Sequence, residues 1–70
     1  MTVLPDRAAL TYREQQVMRL VAEGLRDKEI AGLLGVSLHT VQSHVRRSLH
    51  VLRARNRTHA VALYTRAGAP

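Results

Sequence analysis

An all-α fold of four short helices is predicted by three features of this 70-residue chain. Proline is confined to the two ends, at Pro5 and Pro70, and no alternation of polar and apolar residues persists long enough for a strand. Apolar residues instead recur at helical spacing in separate segments. Each segment is bracketed by residues that start or stop a helix.

Residues 1–10 read as a short N-terminal arm, because Pro5-Asp6 disfavours a regular element, and residues 11–70 as the folded domain. Thr11-Tyr12-Arg13-Glu14 places a hydroxyl and a carboxylate three residues apart, the signature of a capping box. Behind it, Val17, Leu20, Val21 and Leu25 mark one face of a first helix, and Gly24 is suited to stop it. A second helix spans roughly Asp27 to Leu34, with Ile30, Ala31 and Leu34 facing inward and Gly35 breaking it. Ser37 caps a third helix that runs to about Arg53. Asn56 caps a fourth, ending near Gly68. Connections this short bring the four helices into a compact bundle.

At about 100° per residue, Val41, Val45, Leu49 and Leu52 of the third helix fall within an arc of about 80°, the stripe to be buried. Gln42, Arg53, Arg46, His39, His50, Ser43 and Arg47 fill the opposite arc. The charge distribution gives that arc its meaning. Residues 1–35 hold all five acids and five of the eleven Lys and Arg residues, which cancel. Residues 36–70 hold six arginines, all four histidines and no acid, so the whole net charge of +6 lies there. An ordinary solvated helix mixes charge signs for i,i+4 pairing. A helix that is apolar on one side and basic without any acid on the other is suited to lie against a polyanion.

Composition removes other classes. Without cysteine the chain has no disulfide and no thiolate zinc or redox site, and it suits a reducing cytoplasm. Its apolar stretches are far short of the roughly 20 residues that span a bilayer, and Met1 to Leu10 lacks the apolar core of a secretion signal. With no Trp, no Phe and two Tyr, little aromatic surface exists for stacking on unpaired bases. Ten of the eleven basic residues are Arg, which contacts phosphate and guanine through two parallel hydrogen bonds. No nucleophile–base pair or phosphate loop is present, and the capping box accounts for Glu14, so no enzyme and no cofactor is expected. His39, His50 and His59 share no ligand spacing with a carboxylate, so no metal site is expected either.

Asp27 to Val45 carries the punctuation of a helix-turn-helix. Ala31 is small where two helices cross, Gly35 four residues later can take the positive-φ turn, and Val41 packs the next helix back on the first. From Leu10 onward the chain resembles the DNA-binding domain of LuxR-type (GerE-like) regulators. The resemblance rests on Leu10-Thr11-x-Arg13-Glu14-x-x-Val17, Val21-Ala22-Glu23-Gly24-Leu25, and Lys28-Glu29-Ile30-Ala31-x-x-Leu34-Gly35-Val36-Ser37. It continues through Thr40-Val41-x-x-His44-Val45 and Arg55-Asn56-Arg57-Thr58-x-Ala60-Val61.

The resemblance implies a four-helix, wingless helix-turn-helix domain acting as a sequence-specific transcriptional regulator in the bacterial cytoplasm, at the nucleoid. It implies a recognition helix, residues 38–53, in the major groove of double-stranded DNA, and a homodimer on DNA through residues 57–67. Gln42, Ser43 and Arg46 correspond to base-reading positions, and the wheel independently places them outside; His39 can join them. Lys28, Thr40, His44 and the Arg55-Asn56-Arg57 segment correspond to backbone contacts, with Ser37, Arg47 and Arg53 added from their position. His44, at the boundary of the apolar stripe, is divided between packing and phosphate contact.

Four departures from the family pattern carry expectations. Gln42 replaces a usual basic residue, which shifts base preference or weakens binding. Arg26 stands where a polar cap is usual, so Asp27 is expected to cap the second helix. Ser48 replaces a large aliphatic at the edge of the stripe, with some loss of packing. Val51-Leu52-Arg53 replaces Lys-Leu-Gly, and without that glycine the third helix is expected to run on.

The fourth helix holds more apolar residues than one buried face needs. Val61, Leu63 and Tyr64 form a dimer or partner surface, or the helix simply closes the bundle. The alternative function is a small interaction module that binds another protein through this helix and Val51, with DNA secondary. A sigma-factor region-four fold shares the helix-turn-helix, but the Arg55-Asn56-Arg57-Thr58 start of the fourth helix argues against it. Two readings of control stay open: a single-domain regulator set by its own abundance, as Met1 and the short arm suggest, or the output domain of a longer chain.

Overall fold

The computed structural model describes residues 9–68 and shows α1 (Tyr12–Ala22), α2 (Asp27–Leu34), α3 (Leu38–Leu52) and α4 (Arg57–Gly68), with no strand among the described residues. Most of the N-terminal arm lies outside the described residues. Leu10, read as the end of that arm, is buried in the core.

Three of the four helix starts use the side chains expected of them. Glu14 N donates to Thr11 Oγ1 at 3.1 Å and Thr11 N donates back to Glu14 Oε1 at 2.9 Å, which closes the capping box of α1. Thr40 N donates to Ser37 Oγ at 3.0 Å at the start of α3. His59 N donates to Asn56 Oδ1 at 2.8 Å at the start of α4. The start of α2 differs: Arg26, not Asp27, is its cap residue. Arginine offers no acceptor, and the compensating bond comes from Glu29, whose Oε1 accepts from Arg26 N at 2.8 Å. The stops at Gly24 (φ 94°) and Gly35 (φ 69°) use the left-handed region that glycine enters at little cost.

The end of α3 corrects the expectation that it would run on. It stops after Leu52, and Arg53 itself takes the left-handed conformation, φ 57° and ψ 39°. Ala54 N then donates to Leu49 O at 2.9 Å and closes the turn. A non-glycine residue there is strained by roughly 1–2 kcal/mol. Arg53 carries that strain where the chain leaves α3 for α4.

Helix α3 is the centre of the domain and packs against α1, α2 and α4. Val17, Met18, Ile30, Val41, Leu52 and Ala60 have no exposed surface. Leu25, Leu34, Leu49 and Val51 pack against that core while half-buried. Ser48 is a second correction. It sits inside the stripe, fully buried, and its Oγ donates to His44 O at 2.7 Å. Its hydroxyl is thus satisfied within α3, so a small polar side chain fits without an orphaned group. Among the described residues, no helix is long and apolar enough to cross a membrane.

Candidate nucleic-acid interface

The outer face of α3 is set by the stripe behind it. With Val41, Val45, Ser48 and Leu52 anchored, residues half a turn away must point to solvent. His39, Gln42, Arg46, Arg47 and His50 are exposed, and Ser43 and His44 are half-buried. Three of the four base-reading candidates are therefore in the open and the fourth, Ser43, is partly so. Arg46 has no ion pair among the described residues. Arg46, Leu49, His50, Arg53 and Ala54 line an open groove at the C-terminal end of α3.

The backbone-contact candidates divide. Lys28 on α2 and Arg55 after α3 are exposed. Ser37 and Thr40 stand at the entry of α3 with hydroxyls 2.9 Å apart, one donating to the other, so each is oriented by the other as well as by the cap. Asn56 has its side-chain oxygen engaged on α4. Arg55 N donates to His59 Nδ1 at 2.9 Å, which fixes the loop between α3 and α4.

Two arginines are not open cations. Arg47 Nε lies 2.8 Å from Glu14 Oε2, although the α3 sequence itself contains no acid. Its side chain is 66% exposed while that of Glu14 is 2% exposed, so Arg47 lies over the carboxylate and reaches solvent at its edge. Arg57 pairs with Asp27 Oδ1 at 2.5 Å and also donates to Leu25 O at 3.3 Å. It ties the start of α4 to the start of α2. The impression of an acid-free basic half is thereby corrected: two of its arginines are met by acids from the first half, a pairing across α1–α3 and α2–α4 that sequence distance conceals.

The partner surface read on α4 also changes. Tyr64 is 6% exposed and its hydroxyl donates to Gln15 O at 3.3 Å, which makes it core and an α1–α4 tie. Val61 and Leu63 are half-buried and pack against the core. Among the described residues, the exposed large apolar side chains lie elsewhere, at Tyr12, Leu33 and Leu38.

The helix-turn-helix of α2 and α3, with its basic outer face, coincides with a sequence match. The family model described as bacterial regulatory proteins, luxR family, matches residues 8–64. The chain belongs to the LuxR family of bacterial regulatory proteins. It is a LuxR-type helix-turn-helix DNA-binding domain of the transcription-regulator class. It is 40% identical over 57 residues to the nitrate/nitrite response regulator protein NarP of Escherichia coli, covering 81% of this chain and 26% of that protein. It is 45% identical over 58 residues to the transcriptional regulatory protein YxjL of Bacillus subtilis, covering 83% of this chain and 27% of that one. The crystal structure of Escherichia coli SdiA superimposes with a TM-score of 0.77 at 33% identity, over 94% of this chain and 27% of that chain. The LuxR-type domain thus spans about a quarter of the length of these relatives.

Proposed function

We propose that this domain recognises specific double-stranded DNA sequences by laying α3 in the major groove, and that it regulates transcription from that position. One observation carries the reading: Gln42 and Arg46 are exposed on a rigidly anchored helix, and Arg46 has no acid partner among the described residues. Arg46 suits guanine O6 and N7, and Gln42 suits adenine N6 and N7. His39 and Ser43 lie beside them and complete the reading edge. Lys28, Ser37, Thr40, His44, Arg53 and Arg55 hold the flanking phosphates, which supply most of the affinity and set the register. Asn56 acts there through the loop it caps, and Arg47 and Arg57 contribute less because part of their charge is met internally.

On DNA the domain acts as a homodimer through α4, with Val61 and Leu63 at the contact. These side chains are only partly exposed, so the contact is weak by itself and depends on adjacent half-sites. The cytoplasm, where the nucleoid lies, is the compartment this reading requires.

The experiment is selection of binding sites from a random duplex pool with this 70-residue chain at near-physiological salt. An enriched inverted repeat is expected. Salt-sensitive binding without any enriched sequence would overturn the reading.

A further inference from the structure

We propose that Leu38 is a further specificity residue, reading the 5-methyl group of a thymine next to the adenine read by Gln42. This rests on the reading that α3 enters the major groove. Leu38 is the first residue of α3 and is 44% exposed. The apolar side chains around the turn, Leu34, Val36 and Leu49, are half-buried against the core, whereas Leu38 is exposed.

Its position is fixed even so. Ser37 holds the first turn through the bond from Thr40 N and through the Thr40 hydroxyl, so Leu38 is presented on an ordered backbone. Leu38 and Gln42 are four residues apart and so are neighbours along the helix surface, with Leu38 exposed in the first turn. A helical side chain leans toward the N-terminus of its helix, which carries Leu38 ahead of Gln42 toward the bases that the start of a recognition helix reaches. Among the four bases, thymine alone offers a methyl group in the major groove, and adenine alone offers the donor–acceptor pair that an amide matches in two bonds. An exposed leucine beside an exposed glutamine thus selects a thymine within one step of an adenine.

Leu33 supplies the control. It is likewise an exposed large apolar side chain, at 65%, and lies on α2 rather than on α3. Loss of apolar surface as such is therefore separable from loss of the reader.

The test uses the selected duplex and a set in which each thymine is replaced singly by deoxyuridine, which removes only the methyl group. Wild type, Leu38→Ala and Leu33→Ala are titrated against the set, with melting curves to show that each is folded. One deoxyuridine position per half-site should weaken wild type about fourfold, the value of one buried methylene-sized group, and leave Leu38→Ala unaffected. Leu38→Ala should bind the thymine duplex as weakly as wild type binds that deoxyuridine duplex, and Leu33→Ala should match wild type. Equal sensitivity of wild type and Leu38→Ala at every thymine, or wild-type affinity in Leu38→Ala, overturns the proposal. Failure of the underlying reading looks different: no sequence is enriched, or Arg46→Ala binds as wild type does.

Discussion

The scaffold side of the domain, α1 and α2, and its outer side, the exposed face of α3 with the loop that follows, place arginine in different company. Glu14 and Asp27 belong to the scaffold, and each reaches one arginine of the second half, Arg47 and Arg57. Arg46, next to Arg47 in sequence, meets no acid among the described residues, and neither does Arg53. Charge alone does not mark a binding surface. The difference separates arginines of the second half that meet an acid from α1 or α2 from those that do not among the described residues.

The first way to break this comparison is through what both sides share, the core under α3. Leu52 is fully buried, and Leu52→Ala should destabilise the domain by about 3 kcal/mol. A 70-residue domain holds only about 4–10 kcal/mol in total, so urea denaturation should show much of the margin gone, with DNA binding lost in parallel.

Glu14 sharpens the scaffold side. Its two oxygens serve the cap of α1 and the Nε of Arg47, and it is 1% exposed. Glu14→Ala should cost about 2 kcal/mol, mostly from the lost cap and the unfilled buried site. The ion pair adds little to that, because Arg47 is largely exposed and water replaces the carboxylate. Glu14→Gln, which keeps an acceptor for Thr11 N, should therefore recover more than half of the loss. If Glu14→Gln were as damaging as Glu14→Ala, the ion pair would be the larger part and Arg47 would be a structural residue outright.

Arg53 sharpens the outer side, since stability and binding should move in opposite directions there. Arg53→Gly removes left-handed strain of roughly 1–2 kcal/mol. It also adds chain entropy to the unfolded state, of about 0.4–1 kcal/mol. A net gain of about 0.5–1 kcal/mol is expected in thermal denaturation. With one phosphate contact fewer, the slope of log affinity against log salt should become about one unit shallower. The smallest effect belongs to Ser48→Ala. The hydroxyl bonds only within α3, to His44 O, so its removal should change stability by no more than about 0.5 kcal/mol. A larger loss would show that the buried hydroxyl does more than satisfy itself.

The parts of this fold that were legible in the sequence are those with local causes. Thr11, Ser37 and Asn56 announce helix starts because their side-chain oxygens act on backbone only three residues away. Gly24 and Gly35 announce stops because few other residues enter that conformation cheaply. Arg53 gave no such sign, since an arginine has no preference for the left-handed conformation it takes there. Ser48 and Tyr64 were misplaced for a related reason. A wheel for α3 ranks positions around one axis, and a count of apolar residues on α4 does not say which of them are covered, whereas burial here depends on three helices packing on α3 and on α1 reaching α4. Glu14–Arg47 and Arg57–Asp27 were illegible because they join residues 33 and 30 positions apart. The exposure of Gln42 and Arg46 was legible, because it follows from the period of a single helix.

The most direct test of the account compares the two neighbouring arginines on the selected duplex and on a random duplex of equal length. Arg46→Ala should weaken the selected duplex by about 5- to 150-fold, corresponding to one bidentate base contact, and should narrow the gap between the two duplexes. Arg47→Ala should weaken both duplexes alike and by a smaller factor, leaving the gap intact. An unchanged gap in Arg46→Ala, or the same loss in both variants, would contradict the claim that the unpaired arginine of α3 is the one that reads DNA.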